Sequence, residues 1–398
     1  MKTKETEPKP AVGQKLKIPF FSLDHIFVTL VVFLFASLLA YLSLNLSIFN
    51  PLKRALDDFT MTDIYYQIMD SSGANEISDQ ITMVDMTKQY RREDIARTVQ
   101  NIMKCKPKVL LVDLIFERIG DNELGNEAII NALSQSDNII LSCKLLDYSA
   151  ENNQFSNCLF SFFKENKDYN WAYSNVISKF NYGAVREYTT EQYLNGDTIY
   201  SLPYLSACRY SGKSPQHELV SKRTIVYSDI SFITLPCDSV LQNAKLLKDR
   251  IVILGAANEE ADMHLTPIGK MAGMKILAYS INSFLNHRVI QKMPQWMTVL
   301  LTFILCYLSA YAGIWITKRY EHAYIYIIKV WYFLVAALLA WLGFICFVKY
   351  DYEISLLFPL LGLALVEQAR LHYNWLIYIL TSKTKWKQPR KSIYNKKQ

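Results

Sequence analysis

The sequence predicts an α/β extracytoplasmic domain with a mainly parallel sheet, combined with four transmembrane α-helices. Three observations carry that expectation. Long uncharged runs lie near both ends of the chain, positive charge gathers beside those runs, and apolar strands alternate with helical patterns between them. The composition agrees: of 398 residues, 51% are hydrophobic and 20% are charged, below the quarter or so usual for soluble proteins. Disordered, collagen-like and disulfide-miniprotein classes are thereby excluded.

The uncharged runs come first. Ile26 to Phe49 spans 24 residues without a charge, Met293 to Thr317 spans 25, and Val330 to Val348 spans 19. A bilayer core of about 30 Å needs roughly 20 helical residues, so each run is long enough to cross. A fourth run, Ile354 to Val366, has 13. It becomes a span only if it extends through Glu367, Gln368 and Arg370, with those side chains near the headgroups.

Positive charge sets the expected orientation. Lys2, Lys4, Lys9, Lys15 and Lys17 precede the first run, Lys318 and Arg319 follow the second, and Thr381 to Gln398 holds seven Lys or Arg and no acid. The net charge is +7, so the rest of the chain sums to zero and a nucleic-acid-binding face is not expected. The predicted division is a cytoplasmic segment (1–25), a membrane helix (26–49), an outer domain (50–292), three further membrane helices (296–317, 323–348 and 354–372) and a basic cytoplasmic tail (373–398). The first run exceeds a signal-peptide core and no small-residue cleavage site follows it.

In the outer domain, Leu52, Leu56, Phe59 and Ile68 suggest a helix over 51–69. Gln80 to Asp85 reads as a strand, and Arg91 to Cys105 as a helix with Ile95, Val99 and Ile102 on one face. After Pro107 comes a second apolar strand, Lys108 to Phe116. A weak helix (126–134), a strand (138–143), a strand at Arg250 to Gly255 and a helix (275–286) complete the pattern. Strands alternating with helices describe βαβ units. Tyr148 to Ser228 is rich in aromatics and carries no clear period.

In open α/β sheets, ligands bind beyond the carboxyl ends of the strands. Asp85 ends the first strand, Asp113 lies in the second, Asp121 in the loop after it, and Asp262 in the loop after the 250–255 strand. If the strands are neighbours, these carboxylates converge on a cation or a donor-rich ligand; singly, each Asp can cap a helix or brace a loop. His264 and Thr266 share the final loop with Asp262, beside Gly269 and Gly273, which permit close backbone approach. Neither a P-loop, a dinucleotide fingerprint, a nucleophile elbow nor a zinc spacing occurs, so no cofactor and no catalytic residue are expected, and a metal is left open. Five of the seven cysteines lie in the outer domain. In an oxidising compartment Cys143 could pair with Cys158, or Cys208 with Cys237; buried free thiols fit equally well.

The chain resembles the type-two CHASE family, an extracytoplasmic sensing module of bacterial receptors. The resemblance rests on "ITMVD", "RREDIARTVQNIMKCKPKVLLVDLIF", "GDNELGNEAIINAL" and "KDRIVILGAANEEADMHLTPIGKMAGMKILAYSINSFLNHRVI". The last stretch is the most specific, with D-x-x-x-T-P beginning at Asp262 and G-x-x-x-x-A beginning at Gly273. The resemblance implies a module, flanked by one membrane helix before and three after, that perceives an external signal and passes it inward. Family members usually carry an effector after the last helix. Here the expectation is a sensor that works through a separate effector or a second copy, anchored by membrane lipid, with Glu367 and Arg370 contributing to the partner contact. Two other readings stand beside it: a metal-assisted hydrolase built on the four Asp, and a structural subunit of a membrane complex.

Overall fold

A computed structural model of the protein describes residues 19–45, 63, 65–67, 76–87, 91–176, 183–217, 222–227, 230–286, 290–320 and 323–383. In chain order it opens with α1 (Leu23–Asn45), β1 (Glu76–Asp85), α2 (Arg92–Lys104), β2 (Val109–Val112), α3 (Glu123–Leu133) and β3 (Ile139–Ser149). Then come β4 (Gln154–Leu159), β5 (Asn170–Tyr173), β6 (Glu187–Thr189), β7 (Glu191–Leu194), β8 (Asp197–Tyr200) and α4 (Leu202–Tyr210). Next are β9 (Lys222–Thr224), β10 (Ile230–Pro236), β11 (Ile251–Gly255), β12 (Met263–Thr266), β13 (Gly269–Ala272) and α5 (Gly273–Leu285). Three long helices close the described chain: α6 (Gln295–Arg319), α7 (Tyr324–Tyr350) and α8 (Leu357–Lys383). Two compact units result, one within 57–291 and one within 1–56 and 292–398.

The first unit is mixed α/β with a mainly parallel sheet. Its strands run in the order β10-β1-β11-β2-β3, every neighbouring pair parallel, with β5 also parallel to β3. Beyond that, β4 turns antiparallel on the far half of β3, and β7 and β8 extend the edge. Strands covered on both faces must be apolar on both, and β2 (VLLV) and β11 (IVILG) are buried at every residue. Alternate side chains then serve opposite layers. Val84, Leu110, Val112, Val252 and Leu254 pack under α2 and α3, against Ile95, Val99, Ile102 and Ile129. Ile81, Met83, Leu111, Ile251 and Ile253 pack under α4 and α5, where Met274, Leu277, Ala278 and Ile281 form one helical stripe. Each fully buried aliphatic side chain contributes about 1.5–3 kcal/mol.

Several sequence expectations shift here. The second strand stops at Val112 rather than Phe116. The Phe116 N–H takes the Ser161 hydroxyl at 3.1 Å instead of a ladder partner, so Asp113 stands just past the strand, not inside it. The weak helix starts earlier, at Glu123, because the Asn122 side chain accepts from the Gly125 N–H. The unpatterned stretch after Tyr148 holds short antiparallel pairs, β6 with β9 and β7 with β8, too brief for a periodic signal. Of the helix expected over 51–69, Asp63 and Tyr65–Gln67 are helical and the other residues lie outside the described residues. Among the described residues no disulfide joins the seven cysteines. Cys208 and Cys237 cannot pair, since α4 covers one face of the sheet while Cys237 joins the core on the other.

The second unit is helical. Small and polar residues of α6 (Thr298, Thr302, Cys306, Ser309, Ala310 and Gly313) are buried at helical spacing, which lets neighbouring helices approach closely. At Gly362 of α8 an added Cβ would lie 2.8 Å from Cys306 Sγ. Val28 and Val32 of α1 join Val366, Ala369 and Tyr373 of α8 in the same core. Among the described residues, α6 and α7 are the two helices long and apolar enough to cross a membrane. The described apolar stretch of α1, Leu23–Leu39, is shorter, and α8 carries Glu367, Arg370 and His372 along its length. Four clearly transmembrane helices are therefore not shown by length and hydropathy. Arg370 also departs from the expected partner-facing role. It is 7% exposed and bonds Glu367 and, at 3.0 Å, the Thr317 hydroxyl.

Candidate functional site

Successive connections part on both sides of β11, whose neighbours β1 and β2 lead to helices on the same face. After β2 the chain returns through α3 on one face, whereas after β11 it leaves through α5 on the other. Those two strands are neighbours, with Leu254 beside Val112. Connections leaving adjacent strand ends toward opposite faces open a crevice at the carboxyl edge, where ligands of open α/β sheets sit.

Asp113 and Asp262 occupy this crevice. Asp113 follows β2, and its N–H donates to the Leu254 carbonyl at 2.9 Å. Asp262 ends the short 3-10 turn after β11 and accepts from the Gly273 N–H at 3.1 Å. His264 Nε2 of β12 lies 3.5 Å from the Asp262 carboxylate. The Asp113 carboxyl keeps some exposed surface yet is ringed by protein. Burial pushes its pKa up to about 7, helped by the negative charge of Asp262 and opposed by the hydroxyls of Ser142 and Ser174 and by His264. Near neutrality it can therefore take up or release a proton, while the hydroxyls beside it accept or donate.

The other sequence candidates sit apart. Asp85 pairs in register with Gly255, so β11 separates it from Asp113 by two strand spacings, about 10 Å. Its carboxylate accepts from the Thr87 N–H at 2.8 Å, the Thr87 hydroxyl at 2.5 Å and the Ala257 N–H at 2.9 Å. Burial works against its charge, but these bonds with Thr87 and Ala257, and one with Asn258, outweigh it and lower the pKa. Asp85 thus braces the loop after β11. Asp121 is exposed in a bend before α3. Thr266 is buried and donates to the Gly269 carbonyl at 2.6 Å, closing the β12–β13 turn, where Gly269 takes φ +112°. The four carboxylates expected to converge are a pair with a histidine. Among the described residues no three His, Cys, Asp or Glu side chains come close enough to hold a metal ion.

Two residues of this site escaped the sequence. Ser142 and Ser174 share a hydrogen bond of 2.6 Å beside Asp113. Ser142 was visible as the polar residue near the end of an apolar strand, but Ser174 lies in the stretch without a period. Ser174 also lines a small pocket, with Tyr173, Ser201, Ile276 and Ser280 on its walls. The pocket and the acidic crevice thus meet at one serine.

Fold and site together define an α/β domain with a carboxylate crevice, in a chain holding two helices long and apolar enough to cross a membrane. The sequence model of the CHASE2 domain matches residues 28–312, and the chain belongs to the CHASE2 domain family. CHASE2 is a family of extracytoplasmic sensory domains. No curated protein and no solved structure matches the chain.

Proposed function

We propose that the protein is a membrane-anchored sensor whose outer domain binds a small ligand at the Asp113–Asp262 crevice and passes the event inward. In this reading α1, α6, α7 and α8 all span the bilayer, both ends of the chain are cytoplasmic, residues 50–292 are outside, and the basic residues after α8 lie against anionic lipid. The chain performs no catalysis itself and acts on an effector protein or a second copy.

The observation that carries the proposal is the position of the carboxylate pair. Asp262 holds the first N–H of α5, and α5 leads along the chain to α6 within ten residues. A ligand that changes the charge or geometry of the pair therefore acts on the start of α5. A shift there favours one of two arrangements of the helices later in the chain. The acceptors at the crevice (the two carboxylates and, beside Asp113, the hydroxyls of Ser142 and Ser174) suit a solute rich in donors, such as a small amine or amide.

The test is a thermal-shift screen of the full chain in lipid nanodiscs against small amines, amides and amino acids at fixed pH. Solutes that raise the melting temperature of the wild type and not that of Asp113→Asn support the crevice as the binding site. Equal shifts in both proteins place binding elsewhere.

A further inference from the structure

Cys143 and Cys158 lie on neighbouring antiparallel strands. In the β3–β4 register Leu145 faces Cys158, so Cys143, two residues before Leu145, is the diagonal neighbour of Cys158 on the same face of the pair. Both thiols join one cluster with Leu145, Phe155, Phe160 and Trp171. They are close enough that hydrogen bonding between them is the largest influence on the acidity of each, holding Cys143 protonated and easing the proton from Cys158. The Lys164 ammonium stands 4.1 Å from the Phe160 ring centroid and favours thiolate at both sulfurs. Access is unequal: Cys143 is fully buried and Cys158 is half-buried.

We infer that Cys143 and Cys158 form a thiol–disulfide exchange site, oxidised to an intramolecular disulfide by a disulfide-donating oxidoreductase of the extracytoplasmic compartment. The unequal access sets the order of two steps. The Cys158 thiolate attacks a sulfur of the donor disulfide, forming a mixed disulfide and expelling one donor thiolate. Cys143 then loses its proton and attacks the Cys158 sulfur, and the second donor thiolate leaves. The protein gives up two electrons and two protons, and the donor disulfide is reduced to a dithiol. Such bonds persist in the oxidising compartments where extracytoplasmic domains reside. The remaining outer cysteines do not compete. Cys105 and Cys237 are buried in the core under α2 and α3, and Cys208 is on α4 across the sheet.

The experiment uses the full chain in the membranes of cells that make it, acid-quenched, denatured, alkylated and digested without reduction. Trypsin cuts after Lys144, so the two cysteines fall on separate peptides. The expected product is one linked pair, lighter than the sum of its peptides by two hydrogen atoms and lost on reduction. Alkyl groups on both Cys143 and Cys158, or a link from either to a different cysteine, overturn the inference. As a second measurement, reductant should lower the melting temperature of the wild type and leave Cys158→Ser unmoved. An equal drop in the variant also overturns it.

Discussion

Asp262 accepts a hydrogen bond from the Gly273 N–H at 3.1 Å, tying the turn after β11 to the first residue of α5 from eleven positions away. The N-cap residue itself, Ala272, has no side chain that could do this. The same carboxylate raises the pKa of Asp113. One side chain therefore holds a helix end and sets the charge state of its neighbour.

Asp262→Ala should cost about 1 kcal/mol of stability, the usual loss when a helix end is uncapped. Gly273→Ala should cost a similar amount, because its Cβ would lie 2.9 Å from the Asp262 carboxylate and displace it. The double variant should lose less than the two singles added, since Ala is the better helix former once no carboxylate is in the way. Urea denaturation of the four proteins closes the cycle. Strict additivity would show that Gly273 and Asp262 act independently.

The pH dependence is set by the direction of the Asp113 displacement. Its folded pKa is about 7 against 3.8 for the free side chain. The folded state therefore binds the extra proton between those values, and stability falls as pH rises through that window. One pKa unit corresponds to about 1.4 kcal/mol. With solvent screening of a partly exposed group, we expect about 2 kcal/mol to be lost between pH 5 and 8. Asp113→Asn should flatten this part of the melting-temperature profile and be the more stable protein at pH 8. Parallel profiles for the two proteins would remove Asp113 as the titrating group.

The parallel sheet was legible in the sequence because its strands are covered on both faces. "KVLLVDLIF" and "RIVILG" announce such strands without any need of a period. The crevice was legible only in part. Position at a strand end singled out Asp113 and Asp262 together with Asp85, but sequence carries no strand order, and it is β11 lying between β1 and β2 that separates Asp85 from the pair. Ser174 was hidden because β5, just before it, is four residues long and borrows its register from β3. In the helical unit, the spacing of Glu367 and Arg370 placed them on nearby faces, yet nothing in the sequence said that Thr317 would receive Arg370 inside the bundle.

That bundle contact gives a third expectation. Arg370 is almost wholly buried against Glu367, and among the described residues Glu367 Oε2 has no hydrogen-bond partner. Removing the guanidinium leaves a half-buried carboxylate without its partner, which costs less than the roughly 3–5 kcal/mol of a fully buried pair, whereas replacing both charges is milder still. Arg370→Met should thus unfold the helical unit at clearly lower denaturant than the Glu367→Gln/Arg370→Met double variant, monitored by helical circular dichroism in detergent micelles. A single variant as stable as the double would mean that the carboxylate finds water or lipid headgroups instead.

The membrane topology is the last expectation, and it rests on charge beside apolar helices. Lys318 and Arg319 close α6, where they also suit the negative end of the helix dipole, so dipole and orientation alone cannot be told apart at that site. The five lysines before α1 have no such second role, and neither do Arg390, Lys391, Lys396 and Lys397, more than a turn past the last residue of α8 in the sequence. Both of those groups, with Lys318 and Arg319, fall on one side if α1, α6, α7 and α8 each cross once. A reporter enzyme that folds only under oxidising conditions should be active when fused after Lys292 and silent when fused after Arg319 or Lys383. Substituting Lys318 and Arg319 by Gln should leave that pattern intact, because the charges at the two ends still agree. Activity after Arg319 in the wild-type sequence would mean that α6 does not cross in the proposed direction, and the outer placement of residues 50–292 would fall with it.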